Sequence, residues 1–499
     1  MSSNQILGYQ AANSEMCSRI GQGKRWSLSA ILLTVGFCLT LHAQSMVTVS
    51  TLAALRETVQ KSDQKISMKA GRYKITELPD GSRNFPCSGS NNTIGLSGVY
   101  INFPVGKSNR AHFDITGSNN TLKGGIFEDT YSNGLLEVTD FSRYNQNRTT
   151  LAKGQRGGAN IRVSGDGNTI EGIKMTARGS YPYGYGNTYG IGRDNVAGLD
   201  KRCGLLITGV GNTVDDCEFQ HRAFGHVIYM QRGADKTWIK NTVIEGAVRP
   251  SNDLYKETND DDLPKRFNYQ LPIGHVKGLP IPRDVMLNLT EDGIRAYPIN
   301  GSVTVENCIV KKTRGGIKLY LAKGDVTVRN CSVLDSVIEG YSLPSGGKII
   351  NSSGNAAYGP LIYMHFSRTS NHQIDLKILP APHAVGNHVF AAIRGRGHNI
   401  RLTQVGSPID ATLRPIVVGY KARFQFLTTD YPSVPDGYET NYERHYGDDG
   451  YEASNMTIAN GTDYPMILGD QSLSNTIASK GLVTDLGNNN QVSQIGLTD

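Results

Sequence analysis

Residues 292–298 read DGIRAYP and residues 315–321 read GGIKLYL, so Arg295 and Lys318 hold the same place in two related units, 23 residues apart. Each unit leads into a near-identical segment, TVENC ending at Cys308 and TVRNC ending at Cys331. Counting twelve residues back from Asn241, Asn307 and Asn330 puts Tyr229, Arg295 and Lys318 on one line, and Tyr341 follows ten residues before Asn351. His226, Gln231 and Arg232 border the same edge. Two cations one strand spacing apart, roughly 5 Å in a parallel sheet, repel each other, and that pattern predicts a site for an anionic ligand. The planar fork of arginine can hold a carboxylate through two hydrogen bonds. A lysine beside it has its ammonium form disfavoured by the like charge, which makes a usable base. Tyrosine or histidine can supply a proton. The bland alternative is a solvated face along which both cationic side chains lay their stems.

A period in the low twenties made of short β-branched runs is the sequence form of a right-handed parallel β-helix, each repeat being one coil stacked on the next. The expected fold is therefore all-β, a single-stranded solenoid with an N-terminal capping helix. Residues 47–75 supply that cap: Leu52, Leu55 and Val59 recur at helical spacing after Ser50, and a strand with Ile66 and Met68 inward follows. NNTI at 91–94, NNTL at 119–122, GNTI at 167–170 and GNTV at 211–214 repeat a turn followed by a strand. Asn241, Asn307, Asn330 and Asn351 are expected to ladder from coil to coil. Three insertions, 128–158, 177–200 and 249–290, break the repeat, and loops on such a scaffold gather at its binding face. Tyr181, Tyr183, Tyr185 and Tyr189 in the second insertion suit sugar stacking or packing of the loop on itself.

The chain of 499 residues carries a formal charge of +7, too small an excess to imply nucleic acid and compatible with an acidic polymer. Residues 24–44 have a basic start, an apolar run from Leu28 to Leu41 and a small residue at Ala43, which reads as a signal peptide ending at 43 with a long n-region. Residues 44–499 then form one exported domain, secreted or periplasmic, and no other apolar run reaches the ~18 residues a membrane span needs. Five cysteines beyond the leader, at irregular spacing, make no disulfide framework, and Cys217, Cys308 and Cys331 are expected as small buried residues. The oligomeric state is open.

The amphipathic helix, the AGRY turn at 70–73 and the NNTI-type coils resemble the pectate-lyase-like superfamily of parallel β-helices, with the nearest likeness to polysaccharide lyases of the chondroitinase B and alginate lyase type. The resemblance implies a lysine base and an arginine on neighbouring coils acting on a uronate, with acidic ligands holding calcium. Arg295 and Lys318 occur in the reverse of the usual order, and Glu291 and Asp292 are the nearest calcium candidates, without the family's spacing. β-Elimination needs the uronate carboxylate neutralised, a base for the C5 proton and an acid for the leaving oxygen. The assignment is Lys318 as base, Arg295 as clamp and His226 or Tyr229 as donor. Substrate contacts fall to Arg232, Arg314, Tyr297, Tyr320, Tyr341, His365 and Tyr185, with an acidic polysaccharide as the partner. A glycoside hydrolase, which needs two carboxylates ~5–10 Å apart, is the alternative, on Glu291, Asp292 and the cluster Asp260, Asp261 and Asp262. No second acid is seen stacked on Glu291 or Asp292 at the coil period. A carbohydrate binder without catalysis is the third reading.

Overall fold

The computed structural model describes residues 45–104, 111–130, 158–179, 181, 202–260, 262–270, 280–281, 283–385, 389–406, 414–420 and 450–495. Strands of two to six residues dominate, too short to bury a face alone. They gain their stability by stacking in parallel, coil on coil. Among the described residues they form a 23-stranded sheet and a 13-stranded sheet, the latter running from Phe85–Cys87 to Val483–Asp485. The architecture is a parallel β-helix.

Alternation along the strands sorts residues between the interior and the outer wall. Ile228, Ile294, Ile317, Tyr341 and Ile362 follow one another in register across five coils and are all buried in the main core. Burying an isoleucine contributes about 1.5–3 kcal/mol, so such stacks are a principal source of stability. Cys217, Cys308 and Cys331 are buried free thiols, and the Cys308 N–H points at Cys331 Sγ over 3.5 Å. The expected asparagine ladder is present. Asn307 Nδ2 donates to Asn241 Oδ1 at 3.1 Å, Asn330 to Asn307 at 3.2 Å, and Asn351 to Asn330 at 2.8 Å. All four have φ between 45° and 53°, a left-handed turn that asparagine tolerates better than most side chains. Buried Asn92, Asn120, Asn168 and Asn212 make a second ladder, each side chain accepting the backbone N–H of the coil before it.

The helix Leu52–Thr58 buries Leu52 and Leu55 in the core, and its N-cap is Thr51, whose hydroxyl accepts from Ala54 N, rather than Ser50. The third insertion contains short helices at Ser251–Leu254 and Leu263–Arg266 and an antiparallel pairing of Val248–Pro250 with Met286–Asn288. Asp261 and the core of the Tyr-rich insertion, Tyr185 included, lie outside the described residues. Among the described residues no helix is long and apolar enough to cross a membrane.

Candidate active site

The strands Ile228–Met230, Asp292–Ala296, Gly315–Lys318 and Glu339–Ser342 lie side by side in the 13-stranded sheet. Their register pairs Tyr229 with Arg295, Arg295 with Lys318, and Lys318 with Ser342. The first three are the expected column. Tyr341 is not its continuation. It pairs with Ile317, points into the core, and its hydroxyl donates to Ser353 O at 2.7 Å, so it cannot touch a substrate.

A second column runs beside the first, Asp292 pairing with Gly315 and Gly315 with Glu339. Gly315 leaves room for the carboxylates on either side of it: a Cβ there would meet Asp292 Oδ1 at 2.7 Å and Glu339 Cγ at 3.5 Å. Gly316 and Gly340 are needed for the opposite reason, since a Cβ at either would press into Val333 or Leu361 of the core at 2.4–2.5 Å. The glycines of the repeated motif thus let the coil pass close to its core while acidic side chains occupy its outer rim.

Those acids change the reading of the cations. Arg295 and Lys318 are 8% and 2% exposed, so the solvated face is ruled out. The repulsion between them is offset from within the protein rather than by an outside anion alone. Lys318 Nζ is bonded to Glu339 Oε1, and the other Glu339 oxygen lies 2.7 Å from His365 Nε2. Asp292 Oδ2 sits 3.2 Å from Arg314 Nη2, 3.2 Å from His226 Nδ1 and 3.9 Å from Arg295 Nε. Glu291 meets Arg314 Nη1 at 3.1 Å and His226 Nε2 at 3.5 Å. Rings close the cluster. The Arg295 guanidinium carbon stands 5.3 Å from the Tyr297 ring centre and 5.1 Å from that of Tyr320, and Tyr320 stacks on His365 at 3.6 Å.

The electrostatics follow from burial among opposite charges. Burial is the main cause that lowers Lys318 from the ordinary lysine range; Glu339 and Asp292 oppose it, while Arg295 and Arg314 reinforce it. The neighbouring arginine is therefore a lesser cause than the spacing alone implies. Burial acts to raise Asp292, but Arg314, Lys318 and His226 outweigh it and hold the carboxyl well below its usual range. Glu339 is drawn down to about 2, burial being overcome by Lys318 and His365. His365 is pushed down to about 3 by burial, against the pull of Glu339.

Most of the expected residues converge here: Lys318, Arg295, His226, Tyr229, Arg314, Tyr297, Tyr320 and His365. Tyr229 adjoins Arg295, but its ring packs with Ala159 and Cys203, and burial raises its phenol far above the usual range, so it is a poor proton donor. Arg232 is set apart on an exposed turn, where it lines a groove of about 570 Å³ with Asp235, Pro298, Asn300 and Lys323. Glu291 and Asp292 do not suit calcium in this arrangement, because the Arg314 guanidinium already takes the place beside both carboxylates that a cation would need. Among the described residues no group of three or more metal-ligating side chains is arranged to hold a metal ion. Asp260 is paired with Lys265 at 2.9 Å, away from the cluster. Glu339 is the residue sequence reasoning missed, although counting twelve back from Asn351 falls on it.

Solved structures similar to this chain include a PL6 alginate lyase in complex with a trisaccharide, 11% identical over 91% of this chain and 89% of that one, with a TM-score of 0.47. An endo-xylogalacturonan hydrolase from Aspergillus tubingensis is 10% identical over 90% and 93%, with a TM-score of 0.33. A surface protein and adhesin of Streptococcus pneumoniae is 10% identical over 90% and 97%, also at 0.33. No curated protein matches the chain. Residues 193–359, which carry the column and its acids, match the family model described as a right handed β-helix region, and the coil is the right-handed parallel β-helix that the sequence predicts.

Proposed function

We propose that the protein is an exported polysaccharide lyase that cleaves a uronate-containing polymer by β-elimination. The observation that carries this reading is the register of Arg295 and Lys318 on neighbouring strands of the outer wall. A guanidinium can neutralise the uronate carboxylate and so acidify C5–H, and an adjacent amine whose burial lowers its proton affinity can take that proton. Neutralising developing charge in a site with little water is the larger part of such catalysis. Lys318 must loosen its bond to Glu339 to act, and the incoming uronate, an anion itself, competes with Glu339 for the same cations. The apolar segment 28–41 supports export, and N-terminal sequencing of the exported protein checks it against a start near residue 44.

Glycoside hydrolysis is the second reading, favoured by one observation: Asp292 and Glu339 share a register position two coils apart, the stacked acids absent from the sequence reading. A hydrolase needs one of its two carboxyls protonated at working pH. Asp292 and Glu339 are both held ionised, which ranks this reading below elimination. The test is a panel of uronate polymers followed by ultraviolet absorbance of the unsaturated product, with Lys318→Met/Glu339→Gln alongside. Product that the double variant fails to form supports the lyase. Reducing ends without unsaturation favour the hydrolase, and silence in both assays favours a binding protein.

A further inference from the structure

The lyase reading leaves the leaving oxygen without a proton source. Tyr229 is disqualified by its packing, and His226 is only 3% exposed, behind other groups. Tyr297 stands in front of it. Its hydroxyl lies 2.9 Å from His226 Nε2, its side chain is partly exposed, and its ring flanks the Arg295 guanidinium. On the far side of the imidazole, Nδ1 is 3.2 Å from Asp292 Oδ2, closer than the Asp292 N–H at 3.4 Å, while Glu291 Oε2 shares the Tyr297 side, 3.5 Å from Nε2. An imidazolium at this place has a carboxylate facing each nitrogen.

Resting on the lyase reading, we infer that Tyr297 is the catalytic acid, with His226 as its proton reservoir and Asp292 as the positioning residue that orients the imidazole. Arg295 adjoins both groups, its guanidinium beside the Tyr297 ring and its strand position paired with that of Lys318, so a uronate clamped by Arg295 has the amine and the phenol as neighbours. In the step, Lys318, released from Glu339 by the incoming uronate and with its ammonium proton passed to solvent, takes the C5 proton as the free amine, and the C5–H electron pair becomes the C4–C5 double bond. The C4–O4 bond breaks with its pair on O4, and O4 takes the Tyr297 proton. His226 Nε2–H then restores the phenol, leaving a neutral imidazole. Solvent removes the extra proton from Lys318 and returns one to His226, so the cycle balances.

The test compares Tyr297→Phe, which keeps the ring against Arg295, on two substrates: the polymer, and a uronate whose 4-substituent is an aryloxide that leaves without a proton. General acid catalysis contributes about 10²–10⁴-fold. Tyr297→Phe is expected to lose kcat on the polymer by a factor in that range with KM little changed, and to regain most of the rate on the aryl substrate. Lys318→Met/Glu339→Gln is expected to stay inactive on both. Polymer cleavage by Tyr297→Phe at the wild-type rate would overturn the role of Tyr297 and leave the lyase reading standing. Wild-type protein that forms no unsaturated product from either substrate would overturn both.

Discussion

Lys318 and Glu339 form an ion pair with almost no water around it, and its energetics follow from that setting. Removing one member of a buried pair strands the other charge at a cost of about 3–5 kcal/mol, whereas replacing both with neutral groups is often close to neutral. Lys318→Met alone is therefore expected to destabilise by roughly that amount in urea unfolding, and Lys318→Met/Glu339→Gln to recover much of the loss. A single variant as stable as the double would contradict the pair. The comparison also governs the activity assays, since a Lys318 variant that unfolds says nothing about a base. Arg295 and Lys318 were legible in the sequence because their heptads share Gly, Ile and Tyr at the same places and lead into the near-identical TVENC and TVRNC. Glu339 was not, because its segment, IEGYSL, in register shares only Gly340 and Leu343 with GGIKLYL, its tyrosine falling where Ile317 stands.

The coil explains that lapse. Between Asn330 and Asn351 the spacing falls to 21 residues, and the strand Lys348–Ala356 shifts register against Ser332–Ser336 and against Gln373–Ile378. A count carried from the asparagines then slips, and a slip of one residue exchanges the inner and outer faces. Tyr341, expected on the wall, is for that reason in the core, and Ser342 stands in its place. Where spacing stays constant, the asparagines were a reliable guide, because each marks the same left-handed turn. Asn307→Ala puts a Cβ-bearing residue without a helpful side chain at φ 53° and removes its bonds to Asn241 and Asn330. A loss of about 1–2 kcal/mol is expected for the backbone alone, with Asn307→Gly milder, both read from denaturant midpoints. Equal losses would show that the turn conformation is not the cause.

Across the molecule, burial also holds His221, His365, His372 and His398 as neutral groups. Burial lowers His221, His365 and His372 to about 3, and His398 to about 4 with the neighbouring Arg394 carbonyl opposing the shift. Each unfolded imidazole takes up a proton near 6.5 while the folded one resists, so their contribution is complete above that pH and declines as pH falls towards 3–4. The slope is about 1.4 kcal/mol per pH unit for each group. The depressed carboxyls of Asp292 and Glu339 act in the same direction at lower pH still. Unfolding midpoints are thus expected to fall steadily from pH 7 to pH 5; a flat profile would contradict the buried neutral histidines. The central claim, elimination at the Arg295 and Lys318 column, is tested most directly by running the cleavage in ¹⁸O-water and weighing the fragments. Elimination predicts fragments that carry no heavy oxygen from solvent in the bond-breaking step and a new end lighter by one water, whereas one heavy oxygen at each new reducing end would mean hydrolysis and contradict it.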